Sequence, residues 1–128
     1  MILDSSAIVA IALDEPERAA LVERINGAEM VGVGAPTMVE AGIVLSARTA
    51  ADASELLADL INTSDAVVIE FGEAHWMVAV AAWWRFGKGR DPAGLNFGDC
   101  LAYAAARVAG QPLLAKGRGF VKTDIELA

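Results

Sequence analysis

Short apolar runs alternate along this chain with longer segments whose apolar positions recur at helical spacing. Met1-Ile2-Leu3 reads as a buried strand, and Asp4-Ser5-Ser6 supplies N-cap chemistry for a helix through about Leu13. Asp14-Glu15-Pro16-Glu17 predicts the cap of a second helix, which ends at Asn26-Gly27 in the left-handed stop that glycine favours. A valine-rich strand follows from Glu29 to Val33, bounded by Gly34. Pro36 opens a third helix to about Arg48, and Ala51 to Ile61 predicts a fourth. Ala66 to Ile69 is a compact strand, and Glu73 to Phe86 a helix carrying Trp76, Trp83 and Trp84. For these indoles core packing is the expected role, with a partner groove as the alternative. Gly87-Lys88-Gly89-Arg90-Asp91-Pro92-Ala93-Gly94 is a loop. Phe97 to Ala109 is an apolar helix stopped by Gly110 and Pro112, and Leu113-Leu114-Ala115 is the last strand before a tail with no clear pattern.

Apolar strands separated by helices imply a mostly parallel sheet with both faces covered. No repeat, linker or low-complexity tract divides the chain, so residues 1–128 are expected to form one domain. A chain of 128 residues is long enough to close a core, and a 55 % hydrophobic content fits a globule. No apolar run reaches the roughly 20 residues of a membrane span. Asp4 interrupts the opening apolar residues at once, so neither a signal peptide nor a membrane association is expected. A single cysteine, Cys100, cannot form an internal disulfide and fits core packing in a reducing cytoplasm.

The formal net charge of −7 hides an asymmetry. Residues 1–84 hold 3 basic and 13 acidic side chains, whereas residues 85–128 hold 7 basic and 4 acidic ones. The later segment permits a phosphate-backbone partner, and an ordinary solvated surface explains it equally well. Lys88, Arg90, Lys116 and Arg118 are the candidate contacts.

Three acids stand apart from the other charges. Asp4 ends the first strand, Glu40 interrupts Met38-Val39-Ala41-Gly42-Ile43, and Asp99 precedes Cys100-Leu101-Ala102-Tyr103-Ala104. Ligands in open parallel sheets collect beyond the carboxyl ends of the strands, and all three acids are expected to reach that cleft. Two like charges about 4 Å apart repel by about 4 kcal/mol at an effective dielectric of 20. A shared divalent cation would hold such carboxylates ionised, and an oxygen-only set selects Mg²⁺ or Mn²⁺ over zinc. Local roles compete with this reading. Asp4 also suits a helix N-cap, and Asn96 to Asp99 has capping-box spacing. Gly42 and Gly98 are consistent with close helix approach near the acids. The lone histidine, His75, is expected to be structural. No Ser-His-Asp or Cys-His arrangement and no phosphate-binding glycine loop competes.

These residues carry a resemblance. Ile2-Leu3-Asp4-Ser5-Ser6-Ala7, Thr37-Met38-Val39-Glu40-Ala41 and Ala93-Gly94-Leu95-Asn96-Phe97-Gly98-Asp99-Cys100 resemble the successive acidic motifs of PIN-domain ribonucleases, particularly the VapC toxins. Gly110-Gln111-Pro112-Leu113-Leu114-Ala115-Lys116-Gly117 continues the pattern, so the likeness spans nearly the whole chain. It implies a three-layer α/β/α sandwich and a Mg²⁺- or Mn²⁺-dependent endoribonuclease acting on tRNA or rRNA. It also implies a VapB-type antitoxin partner and a homodimer or toxin–antitoxin hetero-oligomer. Asp4, Glu40 and Asp99 would be the catalytic metal ligands, Glu40 alternatively orienting the attacking water, with Ser6 and Asn96 as supporting polar groups. Many relatives carry a fourth acid just before the last motif's phenylalanine; here Gly119 precedes Phe120, and Asp124 is the nearest substitute. The rivals are a PIN-fold RNA- or protein-binding module with impaired catalysis and a phosphatase with Asp4 as nucleophile. The second lacks the usual aspartate two positions on, where Ser6 stands.

Overall fold

The computed structural model describes residues 1–128. Four strands, β1 (Ile2–Leu3), β2 (Gly32–Gly34), β3 (Val67–Ile69) and β4 (Leu113–Leu114), form one parallel sheet in the order β3-β2-β1-β4. Pairing is in simple register, Ile2 opposite Gly32 and Leu113, and Leu3 opposite Val33 and Leu114. Strand side chains alternate between faces, and that alternation divides the interior in two. Leu3, Val33 and Leu114 join the core under α1 (Ser5–Ala12), α2 (Arg18–Asn26), α3 (Ala35–Thr49) and α4 (Ser54–Thr63). Ile2 and Leu113 join the core under α5 (Glu73–Phe86) and α6 (Phe97–Ala109). The result is the expected α/β/α sandwich.

The three tryptophans are not in the core. Trp76, Trp83 and Trp84 are 54 %, 43 % and 66 % exposed. α5 instead buries Ala79, Ala82 and Phe86 in the cluster that holds Ala102, Ala105 and Ala106 of α6. Methyl-sized side chains on both helices permit close approach, so the indoles point outward. The guanidinium of Arg90 covers part of that face, 3.8 Å from the Trp84 ring centroid and 4.9 Å from that of Trp83.

Helix ends also depart from expectation. Gly27 has φ −87°, so α2 does not close in the left-handed stop. Ala50, at φ 54°, ends α3 in that region without a glycine. α4 begins at Ser54, where Asp52 accepts from the Ser54 N–H at 2.9 Å and its hydroxyl at 2.6 Å.

The tail packs as a further layer. Leu113 N–H donates to Glu126 O and Ala128 N–H to Leu113 O, a parallel bridge on the outer edge of β4. Phe120 and Ile125 are buried in the α5–α6 core. Asp124 pins the segment: it accepts from the Tyr103 hydroxyl at 2.7 Å and pairs with Arg85 at 3.1 Å and Arg107 at 3.2 Å. These bonds, that from Tyr103 foremost, hold its carboxyl below the usual range. Burial, with Asp124 opposite, pushes the Tyr103 phenol up to about 12.

Because the Asp124 carboxyl is depressed in the folded state, its stabilisation is present above the unfolded-state value and disappears as pH falls through the folded one. Tyr103→Phe is expected to cost about 1 kcal/mol. Asp124→Asn is expected to flatten the loss of thermal stability below about pH 4. Thermal melts across pH check both, and an unchanged acid limb in Asp124→Asn would contradict the clamp.

Candidate metal centre

Asp4 follows β1 and occupies the N-cap of α1. Its backbone N–H donates to Leu114 O at 2.9 Å, which fixes the residue at the carboxyl end of the sheet. Oδ2 accepts from the Ser6 N–H at 3.0 Å and the Ser6 hydroxyl at 2.5 Å. That hydroxyl accepts in turn from the Lys116 N–H at 2.9 Å, linking β1 to the segment after β4. Oδ1 is buried with no hydrogen-bond partner, in a residue only 3 % exposed. The capping role of Asp4 is therefore realised through one oxygen, and the other has no partner.

Glu40 stands in the second turn of α3, and its Oε2 is likewise buried without a partner. Thr37, one turn earlier on the same helix, buries a third unpartnered oxygen. Sequence reasoning missed Thr37, although its spacing of three from Glu40 marked the shared helical face. Asp99 and Asn96 form the capping box at α6: Asp99 N–H donates to Asn96 Oδ1 and Asn96 N–H to Asp99 Oδ2, both at 2.8 Å. The box leaves Asp99 Oδ1 outside its two bonds.

Burial pushes all three carboxyls upward. Ser6 opposes this at Asp4, and the Asn96 N–H at Asp99. After burial, the Asp4 charge is the largest influence raising Glu40, followed on the opposing side by Ser5 and then by the charge of Asp99. Asp4 also feels Asp99. The charge of Asp99 thus reaches both Asp4 and Glu40. No three His, Cys, Asp or Glu side chains stand close enough here to enclose an ion by themselves. What does fit a hard cation is the donor set: carboxylate oxygens only, two of them buried and unpartnered.

The other candidates divide. Ser6 and Asn96 hold Asp4 and Asp99 as expected. Lys116 is not free for phosphate, because its ammonium pairs with Glu15 at 2.5 Å and Glu17 at 3.4 Å. Its backbone N–H, not its charge, serves the site. Arg90 lies on Trp84. Lys88 and Arg118 are exposed and form no ion pair. Asp124, the nearest substitute for a fourth acid, is engaged by Tyr103, Arg85 and Arg107. His75 accepts from the Gly72 N–H at 3.1 Å and caps α5, as its structural assignment expects. Burial pushes the Cys100 thiol up to about 11, which keeps it a packing group. Beside Glu40 a groove of about 720 Å³ opens between α3 and α6, walled by Val39, Ile43, Phe71, Phe97 and Leu101.

Known proteins resemble this chain in sequence and in fold. The PIN domain family matches residues 1–126. Ribonuclease VapC36 of Mycobacterium tuberculosis is 42 % identical over 127 residues, covering 98 % of this chain and 91 % of that one. The crystal structure of M. tuberculosis VapC20, described as a sarcin–ricin loop cleaving toxin, superposes with TM-score 0.79 at 15 % identity, covering 99 % and 97 % of the two chains. VapBC2 of Rickettsia felis, solved on a DNA fragment from its promoter, gives TM-score 0.73 at 11 % identity over 99 % and 96 %. With its acids on the elements that its motifs predicted, and with this likeness along its length, the chain belongs to the PIN domain family, among the VapC ribonucleases.

Proposed function

We propose that this protein is the toxin of a toxin–antitoxin pair, an endoribonuclease that cuts RNA phosphodiesters with Mg²⁺ or Mn²⁺ held by Asp4, Glu40 and Asp99. The observation that carries the reading is the pair of buried, unpartnered carboxylate oxygens on Asp4 and Glu40, within the field of Asp99. Leaving such atoms without a partner is unfavourable, and a cation answers both the missing contacts and the mutual repulsion. When bound, the metal lowers the pKa of a water and neutralises charge building on the phosphoryl oxygens.

The chain's own residues do the positioning. Ser6 holds Asp4 Oδ2 and leaves Oδ1 without a partner. Asn96 holds Asp99 at the first turn of α6. Glu40, with its free Oε2, is a ligand or the group that orients the attacking water. Of the four basic candidates, Lys88 and Arg118 are the two left to meet an RNA backbone. tRNA and rRNA are the substrate classes this reading favours. A VapB-type antitoxin is the expected partner, on the strength of VapC relatives and of a neighbour solved as a VapBC complex. No helix is long and apolar enough to cross a membrane. A cytoplasmic setting agrees with the RNA substrate, and a single PIN domain over residues 1–128 agrees with the matched span.

The rival reading, a PIN-fold binding module without cleavage, draws on one observation. Gly119 brings no acid to the position before Phe120, and Asp124 is engaged elsewhere.

Asp99→Asn is expected to keep its fold, because asparagine preserves the oxygen that caps Asn96, while RNA cleavage falls at least about 100-fold and growth arrest disappears. Cleavage assays on purified protein decide this, and full activity in the variant removes Asp99 from the mechanism. Chelation is expected to abolish cleavage and added Mn²⁺ to restore it; cutting that persists in chelator defeats the metal reading. Glu40→Gln removes a charge that burial disfavours, so the metal-free variant is expected to gain about 1 kcal/mol of stability and a higher melting temperature while losing activity. A lower melting temperature would show that Glu40 stabilises the fold instead.

A further inference from the structure

Gly98 lies in the first turn of α6, between the exposed ring of Phe97 and Asp99. A Cβ placed on it would stand 2.3 Å from Glu40 Oε1, 2.4 Å from Oε2 and 2.5 Å from Cδ. All three atoms belong to one carboxylate, and none to the backbone. Gly98 is helical, and its φ lies outside the left-handed region that demands glycine. Glycine is also the poorest helix former after proline, so nothing local favours it here. Gly42, on the opposing helix, differs: a Cβ there would meet only Leu57 Cδ2 at 3.5 Å, an ordinary contact. Close approach therefore involves Gly98 and the carboxylate of Glu40 rather than the two helix backbones.

We propose that Gly98 is a positioning residue of the candidate centre, its missing side chain leaving the space in which the Glu40 carboxylate rests against the first turn of α6. That location sets Glu40 one residue from Asp99 along α6, where the exposed N–H groups of a helix start favour negative charge. Any side chain at 98 displaces the carboxylate from this seat. The displaced group is the far end of a flexible side chain, so the fold survives while the geometry of the acids does not. The part of this inference that concerns metal rests on the reading given above; the seating of Glu40 does not.

Gly98→Ala tests both parts. The variant is expected to melt at or above the wild-type temperature, because alanine is the better helix former. In metal-free protein the ¹³C signal of the Glu40 carboxyl, assigned by its loss in Glu40→Gln, is expected to shift. Mn²⁺ affinity, followed by the electron paramagnetic resonance of the free ion, is expected to drop at least about tenfold. Gly98→Ala/Glu40→Asp, which retracts the carboxylate by one methylene, is expected to recover part of that loss. An unmoved carboxyl signal overturns the proposal, and so does a variant that melts far below wild type, since the conflict would then lie with the fold. Mn²⁺ affinity within twofold of wild type overturns it as well. Wild-type protein that binds no Mn²⁺ defeats the metal reading instead, and the carboxyl signal then decides the seating of Glu40.

Discussion

Desolvation of like charges is the constraint around which this structure is organised. Asp4, Glu40 and Asp99 are each pushed toward their neutral forms by burial, and each of the first two also feels its neighbours. A protein selected for stability alone has no reason to bury unpartnered oxygens on Asp4, Thr37 and Glu40 around one end of a sheet. The unfavourable arrangement is retained at the carboxyl end of parallel strands, where such folds bind their ligands. On the function proposed above, stability is given up locally in favour of a cation and a phosphate.

The surrounding scaffold keeps the acids from relaxing. Backbone bonding to Leu114 and the doubly donated Ser6 hold Asp4, and Lys116 closes the chain of contacts through its N–H. Glu15 and Glu17 in turn hold the Lys116 ammonium, which ties the α1–α2 connection to the segment after β4. Asn96 fixes Asp99 by a reciprocal pair of bonds. On the far side, Asp124 fastens the tail to α5 and α6 through Tyr103, Arg85 and Arg107. Charges that looked available in the chain are thereby consumed: Lys116 and Arg90 have partners, while Lys88 and Arg118 do not.

The same economy of space explains the outer face of α5. Small residues on α5 and α6 bring the two helices together, which buries alanines and turns Trp76, Trp83 and Trp84 to the surface. Aromatic content signals a large apolar area but carries no direction. Direction follows from which stripe of the helix is narrow enough to pack, and here that stripe is Ala79, Ala82 and Phe86.

The local pattern of the chain was sufficient for the elements and their order, because strand and helix periodicities are properties of neighbouring residues. α5 and α6 begin and end where that pattern places them. It also singled out the three acids, since an isolated carboxylate in an apolar stretch is visible without a fold. Left-handed ends at Ala50 and the ordinary φ of Gly27 escaped it, because tertiary packing outweighs a residue's own preference. Only the folded chain decided which charges were already neutralised and that Asp124 belongs to a clamp. The seat of Glu40 against Gly98 was likewise a matter of the fold. Each of these depends on residues far apart in sequence arriving within a few ångströms, and distance in space is not written in the order of the residues.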